Sequence, residues 1–241
     1  MTGILYVVGV GPGDPELMTL KAARLIGAAD LVAFFSKCGR KGHARRVADG
    51  HLAPGVRELH FEYPFTTEIA VENPRYLTDM GVFYEQCAKT LGDELGSGAD
   101  VVLLCEGDPF FYGSAMYLYD RLRARYRCEI VPGITGMSGC WSRAGAPMTH
   151  GDDVLSVLPA TLDEDTLVTR LQACDAAVIM KLGSNLAKVR AALDRAGLAD
   201  RAIYVERGTM EDEIILPFAE LTRAKVPYFA IVLIPGRQGA R

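Results

Sequence analysis

Ile4-Leu5-Tyr6-Val7-Val8-Gly9-Val10-Gly11-Pro12-Gly13-Asp14-Pro15 is the stretch that decides the fold. Its first five residues are apolar and partly β-branched, with no polar alternation. That is the pattern of a strand buried on both faces of a parallel sheet. Gly9, Gly11 and Gly13 then close the strand in a tight turn. Asp14 suits a helix N-cap and Pro15 the first helical position, so a helix is expected to follow through Leu17, Leu20 and Arg24. Strand, glycine turn and capped helix in this order open an α/β domain.

The alternation continues outward from there. Apolar runs at residues 31–35, 101–105 and 128–131 predict three more strands, and residues 154–158, 176–180, 202–205, 214–216 and 228–234 five further ones. Asn73-Pro74 reads as a cap and first-turn proline for a long helix. Its apolar positions Leu77, Met80, Tyr84, Cys87, Leu91 and Leu95 recur at steps of three and four. Helices are also predicted over residues 114–125, 134–144, 163–174 and 184–196. The N-terminal strands are far enough apart for helical crossovers, which predicts a mostly parallel sheet. The interval between residues 205 and 214 is too short for one, so the C-terminal sheet is expected to be mixed. Residues 132–149 hold no strand and carry Gly133, Gly136, Gly139, Gly145 and Pro147. The domain junction is placed there, giving domains 1–136 and 137–241.

Bulk composition narrows the function. The 241 residues are 49% hydrophobic and 23% charged, enough apolar material for a core without staples. The net charge of -4 argues against a nucleic-acid partner. Cys38, Cys87, Cys105, Cys128, Cys140 and Cys174 form no CxxC pair and share no zinc-type spacing with the four histidines, so no metal site is expected. The N-terminus runs straight into a strand without a basic leader, and no apolar run approaches the ~20 residues of a membrane span. A cytoplasmic protein with no membrane partner is expected.

Three glycine-bearing turns follow strands. The first, Gly9 to Asp14, tempts a dinucleotide reading, with Asp30 as the ribose acid. The fit is poor: Asp14 stands where the third glycine belongs, and Pro12 and Pro15 remove two amides that a phosphate would use. Such a loop suits a cofactor without phosphate. The second is Glu106-Gly107-Asp108-Pro109 and the third Pro132-Gly133-Ile134-Thr135. Ligands of open α/β sheets bind outside the carboxyl ends of strands, so three such loops on one sheet would converge on one crevice.

Taken together, Gly9-x-Gly11-Pro12-Gly13-Asp14-Pro15-x-Leu17-x-Thr19, Gly107-Asp108-Pro109 with Tyr112-Gly113, and Pro132-Gly133-Ile134-Thr135 resemble the tetrapyrrole methylase family. Val178-Ile179-Met180-Lys181-Leu182-Gly183 and Tyr204-Val205-Glu206-Arg207-Gly208-Thr209 extend the resemblance over nearly the whole chain. Tyr63-Pro64-Phe65-Thr66-Thr67-Glu68, Glu106 through Ser114, and Met180 through Leu186 resemble the branch that methylates a meso carbon of a corrin precursor. The resemblance implies two αβα domains, a homodimer, and S-adenosylmethionine held in the cleft between the domains, leaving as S-adenosylhomocysteine. It implies cofactor contacts from Pro12, Glu106, Gly107, Asp108, Thr135 and Gly136, with Met180 and Gly208 closing over the cofactor.

A tetrapyrrole precursor carries many carboxylates, which arginine binds in bidentate fashion. Lys37, Arg40, Lys41, His43, Arg45 and Arg46 crowd one segment past the second strand. Arg40, Lys41, Arg45 and Arg46 are therefore candidates for the substrate rim, as well as for an ordinary solvated helix face. Tyr63 and Tyr112, with Phe61, Phe65, Phe110 and Phe111, are candidates to wall a flat macrocycle. Asp108, Tyr112 and Glu206 are the candidates for proton handling, and no Ser/His/Asp arrangement is legible. A nicotinamide-dependent oxidoreductase and a non-catalytic ligand-binding module are the alternatives from other classes.

Overall fold

The computed structural model describes residues 2–65 and 74–236. The chain divides into two compact units, Met1–Gly136 and Met137–Arg241.

The first unit is built on a five-stranded parallel sheet of β1 (Ile4–Gly9), β2 (Leu31–Lys37), β3 (Arg57–Tyr63), β4 (Val101–Cys105) and β5 (Arg127–Val131). The strand order is β3-β2-β4-β1-β5. β4 and β1 are central, and β4 is buried along its whole length. Register sets Gly9 opposite Cys105 and Val8 opposite Val131, so β4, β1 and β5 end at one level. Alternate residues face opposite layers. Leu5, Val7, Leu103 and Cys105 pack toward α3 (Pro74–Gly96) and α4 (Ala115–Leu122). Val8, Val102 and Leu104 pack toward α1 (Leu20–Gly27) and α2 (His43–Val47).

Two local expectations need correction. The helix after the first loop is not continuous. Asp14 caps only a single 3-10 turn, Pro15–Leu17, and Met18 returns to an extended conformation. Thr19 then starts α1, its hydroxyl accepting the Ala22 N–H at 3.2 Å. Two capping residues five positions apart produce two elements. β3 has no counterpart among the predicted strands. It is an edge strand in which charged residues alternate with Leu59, Phe61 and Tyr63, so it lacks the continuous apolar run of a central strand. The proposed cap Asn73 lies outside the described residues.

The second unit carries a mixed sheet of β6 (Leu155–Pro159), β7 (Ala176–Met180), β8 (Ile203–Glu206), β9 (Ile214–Pro217) and β10 (Ala230–Ile234), ordered β6-β7-β10-β8-β9. β6 and β7 are parallel, whereas β10 runs antiparallel to both β7 and β8. One face is covered by α6 (Glu164–Gln172) and α7 (Leu186–Ala196), through Leu167, Val189 and Leu193. The other face packs on α5 (Gly136–Arg143), where Cys140 meets Val178 and Val205. Each unit is thus an α/β sandwich of three layers, parallel in the first and mixed in the second. Among the described residues no helix is long and apolar enough to cross a membrane, and no cluster of histidine, cysteine and carboxylate side chains fit for a metal ion is present.

Candidate active site

The three glycine loops converge at the carboxyl ends of β4, β1 and β5. The Gly107 N–H donates to the Gly11 carbonyl at 2.8 Å, joining the first two loops. A Cβ on Gly9 would lie 2.5 Å from the Gly107 oxygen and 2.8 Å from the Gly133 nitrogen. One on Gly133 would lie 2.1 Å from the Gly107 oxygen and 3.0 Å from the Gly9 Cα. Main chain therefore touches main chain at a point where no side chain fits. Gly107 itself has φ +64°, and a Cβ there would meet nothing closer than the Gly136 nitrogen at 3.5 Å. Its glycine is required by backbone conformation, not by space. Pro12 is buried, and Thr135 and Gly136 are half-buried beyond the third loop.

Asp108 ties this arrangement together. One carboxylate oxygen accepts the Phe110 N–H at 2.9 Å, closing the turn, and the other accepts the Gly133 N–H at 3.1 Å, across to the third loop. Asp14 is engaged likewise, accepting the Glu16 N–H at 2.9 Å. Glu106 continues the alternation of β4 and so falls on the α2 side. Its carboxylate accepts the Ala44 N–H and feels the charge of Arg46. Desolvation dominates over both and pushes its pKa up to about 7.

The aromatic candidates separate into two groups. Phe61 is core, and Tyr63 stacks on Phe35 at 5.2 Å between centroids. Phe65 packs on Tyr76 at 5.3 Å. Phe110 and Tyr112 are the exposed pair, at 46% and 43%. Tyr112 holds φ +58°, a left-handed conformation that costs a non-glycine residue roughly 1–2 kcal/mol. Gly113 enforces this corner, because a Cβ there would lie 2.7 Å from the Cys105 sulfur and 2.8 Å from the Pro109 oxygen.

The basic segment is only partly available to a ligand. Lys41 pairs with Asp49 at 2.6 Å. Arg45 is buried and bridges Asp49 at 2.5 Å and Glu58 at 2.6 Å. These two cations hold α2 to its own surroundings. Arg40 and Arg46 are exposed, as is Lys37, and none of the three is in an ion pair among the described residues. Nearby, Ser36 and His60 bond to each other, with Glu62 3.9 Å from the second ring nitrogen. The Ser36 hydroxyl is buried and bonded to the Lys37 carbonyl at 2.9 Å, which makes it a tie between β2 and β3.

In the second unit Met180 is half-buried at the end of β7. Gly208 is forced by packing: a Cβ would meet the Cys140 sulfur at 2.6 Å. Around these two, Lys181, Arg207 and Thr209 hold φ of +59°, +51° and +73°. Strained non-glycine residues concentrate at functional loops, and no sequence signal marks them because none is glycine or asparagine. Glu206 is unsuited to move a proton. It is 1% exposed and accepts from Tyr204 at 2.6 Å, from Arg223 at 3.0 Å and from Arg207. A carboxylate between two guanidinium groups and a phenol is a structural ion cluster.

The chain is similar throughout to proteins of one family. The family model for Tetrapyrrole (Corrin/Porphyrin) Methylases matches residues 4–222. The precorrin-2 C(20)-methyltransferase of Sinorhizobium sp is 50% identical, over 97% of this chain and 96% of that one. The cobalt-precorrin-2 C(20)-methyltransferase of Salmonella typhimurium is 27% identical, over 97% of each. Among solved structures, the uroporphyrin-III C-methyl transferase of Thermus thermophilus complexed with S-adenyl homocysteine superposes with a TM-score of 0.66 at 25% identity, covering 96% of this chain and 97% of that one. With that family match covering the whole first sheet, all three glycine loops and four of the five strands of the second sheet, the chain belongs to the tetrapyrrole (corrin/porphyrin) methylases.

Proposed function

We propose that this protein transfers a methyl group from S-adenosylmethionine to carbon 20 of precorrin-2, giving precorrin-3A, a step of cobalamin biosynthesis. The observation that carries the cofactor choice is the side-chain-free contact of Gly9, Gly107 and Gly133. It is paired with amides already committed to carboxylates: Gly133 and Phe110 to Asp108, and Glu16 to Asp14. A pyrophosphate needs free amide donors at such an edge, and two carboxylates would repel it. A nucleoside carrying an amino acid needs neither, which disfavours the nicotinamide alternative. S-adenosylmethionine bound here supplies an electrophilic sulfonium methyl. Pro12, Glu106, Gly107, Asp108, Thr135, Gly136, Met180 and Gly208 would hold it, and S-adenosylhomocysteine would leave.

The carbon position rests on the 50% identity with the Sinorhizobium enzyme. A cobalt-loaded ring, or another ring position, is the alternative within the family. The lower identity of 27% with the Salmonella enzyme favours the cobalt-free ring. The reading carries with it a cytoplasmic homodimer acting on a free small molecule. Product made from precorrin-2 with a carbon-13 methyl donor is expected to carry one label, on the meso carbon at position 20. NMR placing the label on a pyrrole carbon would overturn the position and leave the family unchanged.

The ion pairs divide the basic segment into two roles. Arg40→Gln and Arg46→Gln are expected to raise KM for the polycarboxylate about tenfold together, most strongly at low salt, with little change in melting temperature. Arg45→Gln is expected to destabilise the fold by about 1–2 kcal/mol through loss of two partly buried pairs. Thermal melts beside steady-state kinetics would separate the two. Equal effects on KM from all three would contradict the division.

A further inference from the structure

Replacing a meso hydrogen by methyl requires a proton to leave. The S–CH3 bond breaks and a C–CH3 bond forms, leaving a tetrahedral carbon that still bears its hydrogen. The electrons of that C–H bond then return to the ring π-system and the proton goes to a base. On the reading of the reaction given above, we propose that the carboxylate of Glu106 accepts this proton.

Placement comes first. Glu106 directly follows the central strand β4 and directly precedes Gly107, whose carbonyl lies beneath Gly9 and Gly133. It is half-buried, and the Ala44 N–H of α2 fixes the carboxylate in place. The neighbouring carboxylates are already occupied. Both oxygens of Asp108 accept backbone amides, Asp14 caps its own turn, and Glu206 belongs to an ion cluster in the second unit. Arg46 on α2 acts on Glu106 through its charge, Asp108 follows in the loop, and Cys105 precedes it with a thiol that burial pushes up to about 12 and so keeps neutral. Burial also brings Glu106 near 7, where a base accepts a proton readily and returns it to water at neutral pH.

Glu106→Gln keeps the shape and an acceptor for Ala44 while removing the base. It is expected to lower kcat by roughly 100-fold or more, with a smaller rise in KM for S-adenosylmethionine because Glu106 also lines the cofactor site. The wild-type kcat should fall on the acid side with a midpoint near 7. Glu106→Gln should lose that limb, and Glu106→Asp should restore part of the rate and the limb with it. A Glu106→Gln enzyme with wild-type kcat, or with a reduced kcat that keeps the acid limb, would overturn the proposal. Wild-type methylation at a fully substituted pyrrole carbon would overturn the functional reading and this proposal together, because such a carbon has no proton to lose. Meso-methylated product with an unaffected Glu106→Gln variant would overturn this proposal alone.

Discussion

Gly133→Ala is expected to weaken S-adenosylhomocysteine binding by about 100-fold or more and to reduce turnover at least as far. The added Cβ would sit 2.1 Å from the Gly107 oxygen and 3.0 Å from the Gly9 Cα. Neither neighbour is a flexible side-chain tip. Both are main chain, held by the parallel ladder of β1 and β4 and by the Gly107–Gly11 hydrogen bond. Relief requires β5 and its loop to move away from the other two by about an ångström, and displacements of that size cost on the order of 100-fold in rate. Overpacking of this kind costs ~1–3 kcal/mol of stability, so the variant should still fold. Gly107→Ala makes the sharper comparison. Its Cβ has space, and the left-handed φ of +64° is the only objection, worth roughly 1–2 kcal/mol. Isothermal titration should therefore rank Gly133→Ala well below Gly107→Ala in affinity. The reverse order would mean that the contact of the three loops does not shape the binding site.

That contact was legible in the sequence only in outline. Each loop follows a run of apolar residues, and the carboxyl-end rule puts them on one edge. Which glycines touch, and that Gly107 is needed for φ while Gly133 is needed for space, depends on the register of β4, β1 and β5. Register is a long-range property, and no local pattern encodes it. The basic segment fails for the same reason. Arg40 and Arg45 look alike in sequence, but Arg45 meets Glu58 on β3, thirteen residues on, and Asp49 one helical turn away. β3 itself was hidden by its polar alternation at the sheet edge. Glu206 directly follows the predicted strand 202–205 and reads in the sequence as a candidate for proton handling. Its partner Arg223 lies seventeen residues away, and only folding brings the two together. By contrast, the central strands, the long α3 and the mixed second sheet were readable, because buried runs and helical periodicity are local.

Asp108→Ala is the other change expected to be severe, by about 100-fold in kcat/KM, and its cause is the loop rather than direct chemistry. The carboxylate takes two backbone amides, Phe110 within its own turn and Gly133 in the neighbouring loop. Removing it leaves two amide donors without their partner, at ~1–3 kcal/mol each where water cannot fully replace it. The Gly133 amide is also the atom against which Gly9 packs, so the loss falls on the same contact that Gly133→Ala would strain. Asp108→Asn distinguishes this account from one based on side-chain size. An asparagine offers one carbonyl oxygen, so one amide keeps its acceptor while the other faces an NH2 group, donor against donor. Asp108→Asn is therefore expected to fall near the alanine variant rather than near wild type, in both S-adenosylhomocysteine affinity and kcat/KM. Circular dichroism should show both variants folded, since the sheet beneath does not depend on Asp108. A folded Asp108→Asn enzyme with wild-type affinity and turnover would mean that the two amides do not need a carboxylate, and the three loops would then be held together by their glycine contacts alone.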